Sequence, residues 1–180
     1  MHGGFRSRIT CLLAVAGVGC LVLASSAAAQ HVGWNEAAKA GGVKVMTYTV
    51  DSLTFDSKGW SAHVSFHNVS HTTIRMSTRR EFGAAFFADP KSENLSEAVG
   101  FATATTFSSK LPTVLKPGDS WTGTIGGTGK LTANQKVYAR VVFGPFSNLP
   151  GTKSAVVWIT DHSLTLAKAP APAAPVGPVI

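Results

Sequence analysis

The sequence predicts an all-β protein, an antiparallel sandwich of about seven to eight strands, and three observations predict it. Short segments alternate apolar and polar residues with period two, as a half-buried strand requires. Gly/Pro turn signals separate these segments at short, regular spacing, the pattern of sandwiches and barrels. No apolar pattern with helical period runs long enough to stand alone.

In chain order, "VKVMTYTVDSLTF" (43–55) is rich in β-formers and ends at the breaker "DSKG". "WSAHVSFHNV" follows, with Trp60, Ala62, Val64 and Phe66 on one face and Ser61, His63, Ser65 and His67 on the other. "TIRMS" and "FGAAFFA" are two further strands, the second closed by Asp89-Pro90, and "KSENLSEA" reads as a loop with one helical turn. "GFATATTF" is a strand, "LKPGDS" a turn through Pro117-Gly118, and "WTGTI" a strand leading into a flexible "GGTGK". "KVYARVVF" places Val137, Ala139, Val141 and Phe143 on one face. After the turn-rich "FGPFSNLPG", the segment "SAVVWITDHSLTL" places Val156, Trp158, Thr160, His162, Leu164 and Leu166 together. Upstream, "WNEAAKAGG" reads as one or two helical turns capped by Asn35, inside a lead-in over 30–42. The sandwich domain is expected over 43–167.

The ends carry different signals. Two arginines, the run "ITCLLAVAGVGCLVLA" and the small-residue "SSAAA" form a secretory signal over 1–29, with cleavage expected before Gln30. The location expected is therefore secreted or periplasmic. Cys20 is not read as a lipid anchor, because Gly17 stands where a large aliphatic residue is usual and "LVLA" stays apolar. Both cysteines lie in this segment, so the mature chain would hold neither disulfide nor Cys-ligated metal. Cleavage lowers the formal charge from +7 to +5 by removing Arg6 and Arg8. The remaining basic residues are scattered, which argues against a nucleic-acid partner and leaves weak attraction to an anionic envelope polymer. The Pro/Ala-rich segment 168–180 reads as an extended tail. No second apolar run reaches transmembrane length after processing.

The strand "HVSFHNVSHTTIRM" closing on Asn68-Val69-Ser70, the following "FGAAFFAD", and "LKPGDSWTGTI" with Leu115, Pro117, Gly118 and Gly123 occur in a telling order. In that order the chain resembles the immunoglobulin-like β-sandwich family of bacterial extracellular proteins, roughly over 43–166. The resemblance implies that fold and a binding or accessory role without catalysis. The "FGPFSNLPG" connection and the long last strand depart from it.

Chemical signals are sparse. His63 and His67 share a strand face, but four residues separate their backbones by about 13 Å, too far for parallel side chains to meet on one zinc. His71 lies beyond, in the turn. "TDHS" holds Asp161, His162 and Ser163, yet neighbouring strand residues point to opposite faces, and a pairing of Ser120 with His162 lacks a nucleophile elbow. "GTIGGTGK" has phosphate-loop composition without the spacing or the helix that a phosphate loop needs. Acidic residues are dispersed, which gives paired-carboxylate glycosidase chemistry no basis. No catalytic residue, metal ligand or cofactor is assigned. Partner contacts are expected at Arg79 and Arg80, able to clamp a carboxylate or phosphate, and at Phe146 and Leu149, apolar residues of a connection expected at the surface.

The function expected is therefore an exported, non-enzymatic binding or accessory protein of the cell envelope. The alternative is a periplasmic copper-binding protein: cleavage after Gln30 would make His31 the N-terminus, pairing its α-amino group and imidazole, with His162 as a further nitrogen. Gln30 at the −1 position breaks the small-residue rule that Ala29 satisfies, so this cleavage is not expected.

Overall fold

A computed structural model describes residues 29–56, 59–76, 81–128 and 136–166. Its elements are twelve strand segments and one 3-10 turn. They are β1 (Gln30–Ala40), β2 (Val43–Phe55), β3 (Trp60–Asn68), β4 (Ile74–Met76), β5 (Gly83–Phe87), the 3-10 turn Leu95–Glu97, β6 (Gly100–Thr103) and β7 (Thr106–Phe107). They continue with β8 (Val114–Leu115), β9 (Ser120–Gly127), β10 (Val137–Ser147), β11 (Val156–Ile159) and β12 (Leu164–Leu166). All described pairings are antiparallel. Two sheets, one ordered β1-β2-β3-β9-β7 and the other centred on β10, pack face to face as a β-sandwich.

In the second sheet Val142 pairs with both Gly83 and Ile159, and Phe146 with both Met76 and Val156. A strand residue has one neighbour on each side, so β4 and β5 line one side of β10 and β11 and β12 the other. Beyond them β8 pairs with β4 and β6 with β5. The free edges that matter below are thus β1 in the first sheet and β11–β12 in the second.

The alternation over 60–67 and 137–143 comes out as expected. Trp60, Ala62, Val64 and Phe66 face Val137, Ala139, Val141 and Phe143 in one core. His63 is partly exposed and His67 exposed on the outer face of the first sheet. The centre is aromatic: Phe66 stacks on Trp121 at 5.2 Å and meets Phe143 edge-on at 5.2 Å. Such pairs add about 0.5–1.5 kcal/mol each to area burial. The two turn motifs read in the sequence meet at one corner. Asn68, fully buried, donates from Nδ2 to the carbonyls of Thr72 and Leu115, and its Oδ1 accepts from the Ser70 amide and hydroxyl.

Three local readings are corrected. Residues 34–40 are not helical: they form most of β1, with Trp34, Glu36, Ala38 and Ala40 buried alternately. The Gly41-Gly42 pair, both at positive φ, turns β1 into β2 with Ala40 opposite Val43, the two-residue hairpin that glycines permit. Pairing along the whole of β2 overrides the helix propensity of the alanines. The last strand is interrupted at 160–163. Finally, the strand read over 100–107 is two segments in different sheets, β6 paired with β5 and β7 with β9; β5 itself is buried on both faces, because Leu95 and Ala98 fold over Ala85, Phe87 and Val142 as a second, smaller apolar layer.

Candidate functional site

The densest polar cluster lies where β1 passes the interruption between β11 and β12. The β1 alternation turns Glu36 inward, and its side chain is only 3 % exposed. An unpaired carboxylate there would cost several kcal/mol. It is not unpaired: Oε2 accepts from Tyr48 Oη at 2.8 Å and the Asp161 amide at 2.7 Å, and Oε1 accepts from the His162 amide at 3.0 Å. His162 Nδ1 lies 2.8 Å from Oε1 as well.

The donors exist because the strand leaves its ladder at this point. Thr160 keeps one backbone bond to β10, its amide donating to the Val141 carbonyl. Its hydroxyl then stands in for a backbone carbonyl, accepting from the Val141 amide at 3.0 Å and donating to the His162 carbonyl at 2.8 Å. The Thr160 carbonyl accepts from Arg140 Nη1 at 2.7 Å. Arg140, itself buried, also donates from Nη2 to the Pro90 carbonyl at 2.6 Å and lies 5.8 Å from the Phe87 ring centroid. Glu36 from one sheet and Arg140 from the other thus supply what the interrupted strand lacks, as buried backbone groups demand. Burial, and then the Glu36 charge, push the Tyr48 hydroxyl well above its ordinary range, so it serves here as a donor.

His162 is the exposed member of the cluster. Its side chain is 58 % exposed and its ring stacks on Trp34 at 5.9 Å. A neutral imidazole donating from Nδ1 to a carboxylate keeps its Nε2 lone pair, the orientation a general base or metal ligand needs. The rest of such machinery does not assemble around it. Ser120 bonds His67 Nδ1 at 2.9 Å on the outer face of the first sheet, and the amides of Asp161 and His162 are what Glu36 holds. Among the described residues no three His, Cys, Asp or Glu side chains gather as a metal site. His63 Nδ1 contacts Thr124 Oγ1 at 3.3 Å, with Asp51 at 3.8 Å from Nε2, and His71 is exposed in its turn.

The expected partner contacts fare as follows. Phe146 is 0 % exposed, its ring tilted against that of Trp158 at 5.0 Å, and Leu149 is 4 % exposed. Both cap the core, so neither offers a surface. They were expected outside because their connection is rich in turn residues, but β10 runs on through Phe146 to Ser147. Arg79 and Arg80 lie outside the described residues. Sequence reading missed Glu36, Tyr48 and Arg140. The signal for Glu36 was a lone acid at an inward position of "WNEAAKA", and for Arg140 a lone cation in the apolar "VYARVV". No family model, curated protein or solved structure matches the chain.

Proposed function

We propose that the protein is an exported, non-enzymatic β-sandwich that binds a component of the cell envelope. One observation carries the non-enzymatic part: Glu36, the group most like a catalytic carboxylate, has both oxygens engaged in joining the edges of the two sheets. The export signal of residues 1–29 supports the location, and the resemblance of the turn motifs to immunoglobulin-like extracellular sandwiches supports a binding role. Affinity capture from the native envelope tests the reading. A reproducible partner retained by His162→Ala is expected; failure to capture any component, or turnover of a captured one that His162→Ala abolishes, overturns it.

The copper reading keeps one favourable observation, the imidazole of His162 held by Glu36 through Nδ1, with no hydrogen-bond partner for Nε2 among the described residues. Calorimetric titration of the processed protein with Cu(II) is expected to give no stoichiometric tight site. A single tight site lost in His31→Ala would make the protein a copper binder instead.

A further inference from the structure

We infer that the end of the sandwich carrying the β1–β2 hairpin docks on an anionic phospholipid bilayer, with lysines against the headgroups and two valines at the acyl boundary. This deepens the binding role proposed above and rests on it. The envelope component bound is then the lipid surface itself.

Four turns meet at this end. The β1–β2 turn spans 39–44, and beside it the chain leaves β3 into the 69–73 turn, the Val69 amide donating to the Val45 carbonyl at 3.1 Å. The 116–119 turn comes next. Asn68 holds it, donating its amide to the Asp119 carbonyl and accepting from the Gly118 amide. The 148–153 connection joins from the second sheet. Asn148 Nδ2 donates to the Thr73 carbonyl at 2.6 Å, and Gly151 Cα lies 3.2 Å from where a Gly41 side chain would begin. Backbone thus packs on backbone at the hairpin, and the surface is pre-formed, which spares a partner the cost of ordering it.

The charges gathered in these turns are one-sided. Lys39, Lys44, Lys116 and Lys153 are all exposed there, against one acid, Asp119, whose Oδ2 accepts from the Lys116 amide. None of the four lysines makes an ion pair among the described residues. Lys39 and Lys44 stand directly opposite each other in the β1–β2 ladder, and like charges so placed destabilise a strand pair. A lysine on a free edge deters unwanted pairing, which accounts for Lys39. Lys44 has no such task, because β2 is an internal strand. An anionic surface outside the chain offsets the repulsion. The opposite end is mixed by contrast, since Asp89, Glu93 and Glu97 accompany Lys91 where the chain leaves β5.

Apolar exposure coincides with the charge. Val43, beside Lys44, is 58 % exposed and Val69 is 36 % exposed. Val114 is also exposed and pairs with Arg75, which in turn pairs with Ser147 at the edge of this same end. The mixture decides between anionic partners. A soluble polyanion engages the lysines and leaves the valines in water. A bilayer with anionic headgroups takes both, cations at headgroup level and apolar side chains at the acyl boundary.

Sedimentation of the processed protein with vesicles tests the inference, using phosphatidylcholine alone and phosphatidylcholine mixed with phosphatidylglycerol. Binding is expected to the mixed vesicles only, and it should weaken as salt is raised. The double variant Lys39→Ser/Lys44→Ser should bind them about thirtyfold more weakly, since each lysine near an anionic surface is worth about fivefold in affinity. With the mutual repulsion gone, its melting temperature should be no lower than the parent's. If that variant melts early, Lys116→Ser/Lys153→Ser is read in its place. Lys91→Ser/Lys136→Ser, at the opposite end, should bind as the parent does. Val43→Ser should weaken vesicle binding and leave retention by soluble polyphosphate unchanged. The inference is overturned if the mixed vesicles are ignored, if phosphatidylcholine alone binds as tightly, or if the hairpin variant binds as the parent does. It is equally overturned if the variant at the opposite end loses as much, or if Val43→Ser leaves vesicle binding intact, which makes the partner a soluble polyanion. Envelope capture of a partner that Lys39→Ser/Lys44→Ser retains in full removes this surface while leaving the binding role standing.

Discussion

At the scale of single residues, Glu36 is the buried carboxylate on which the joint between the two sheets turns. Glu36→Ala leaves the amides of Asp161 and His162 and the Tyr48 hydroxyl without their acceptor, and breaking a buried charged network of this kind costs roughly 3–5 kcal/mol. His162→Ala removes a half-exposed ring and leaves its amide bonded, so about 1 kcal/mol or less is expected after solvent screening. Urea melts of the two variants check the order: a larger loss for His162→Ala would contradict a joint centred on Glu36. Tyr48 adds a pH dependence. Its hydroxyl titrates above its ordinary range when folded and near pH 10 when unfolded. The unfolded chain therefore holds fewer protons above about pH 10, and stability present below that pH is lost as pH rises. Tyr48→Phe should flatten this alkaline slope while weakening the protein at neutral pH. Tyrosinate absorbance, compared between the parent and Tyr48→Phe, should show Tyr48 resisting titration until the fold is lost.

At the scale of elements, β3 shows how far alternation can be trusted. Phe66 is 1 % exposed and touches four other aromatic rings, those of Phe82, Trp121, Phe143 and Phe146. Phe66→Ala should cost roughly 3–5 kcal/mol. His63→Ala, on the opposite face, should cost about 0.5 kcal/mol or less, and denaturant melts that ranked the pair the other way would reverse the assigned faces. The interrupted strand β11–β12 is a different case. Thr160→Val keeps the shape and removes the hydroxyl that bonds the Val141 amide and the His162 carbonyl, for a loss of roughly 1–3 kcal/mol. Amide exchange at Val141 should quicken in that variant, while exchange at Tyr138 and Ala139, whose residues pair with β12, reports whether the damage stays local.

At the scale of the whole molecule, Glu36 ties an edge strand of one sheet to an edge strand of the other. The opposite flank is closed by the chain itself, where consecutive amides at Ala104 and Thr105 bond to different sheets. A sandwich joined by packing and these two seams needs no disulfide, in keeping with cysteines that occur only at positions 11 and 20. Export is testable at this scale too. The secreted or periplasmic fraction should contain a chain whose intact mass begins at Gln30, and a lipid on Cys20 or retained residues before Ala27 would contradict the signal reading.

The sequence by itself determined the sandwich, its two-faced strands and its turns, because period-two burial and Gly/Pro chemistry are local properties. The inward faces of β3 and β10, and the corner turn at Asn68, could be read from neighbouring residues alone. Only the tertiary structure decided the rest. Alanine-rich β1 is a strand because β2 offers it a full ladder, although the Gly-Gly turn hinted at this. The Glu36 cluster draws on positions 36, 48 and 160–162, and no local pattern relates residues so far apart in the chain. Phe146 and Leu149 sit in a stretch with the composition of a loop, yet the core takes them in, since burying large apolar side chains outweighs the local preference for a turn.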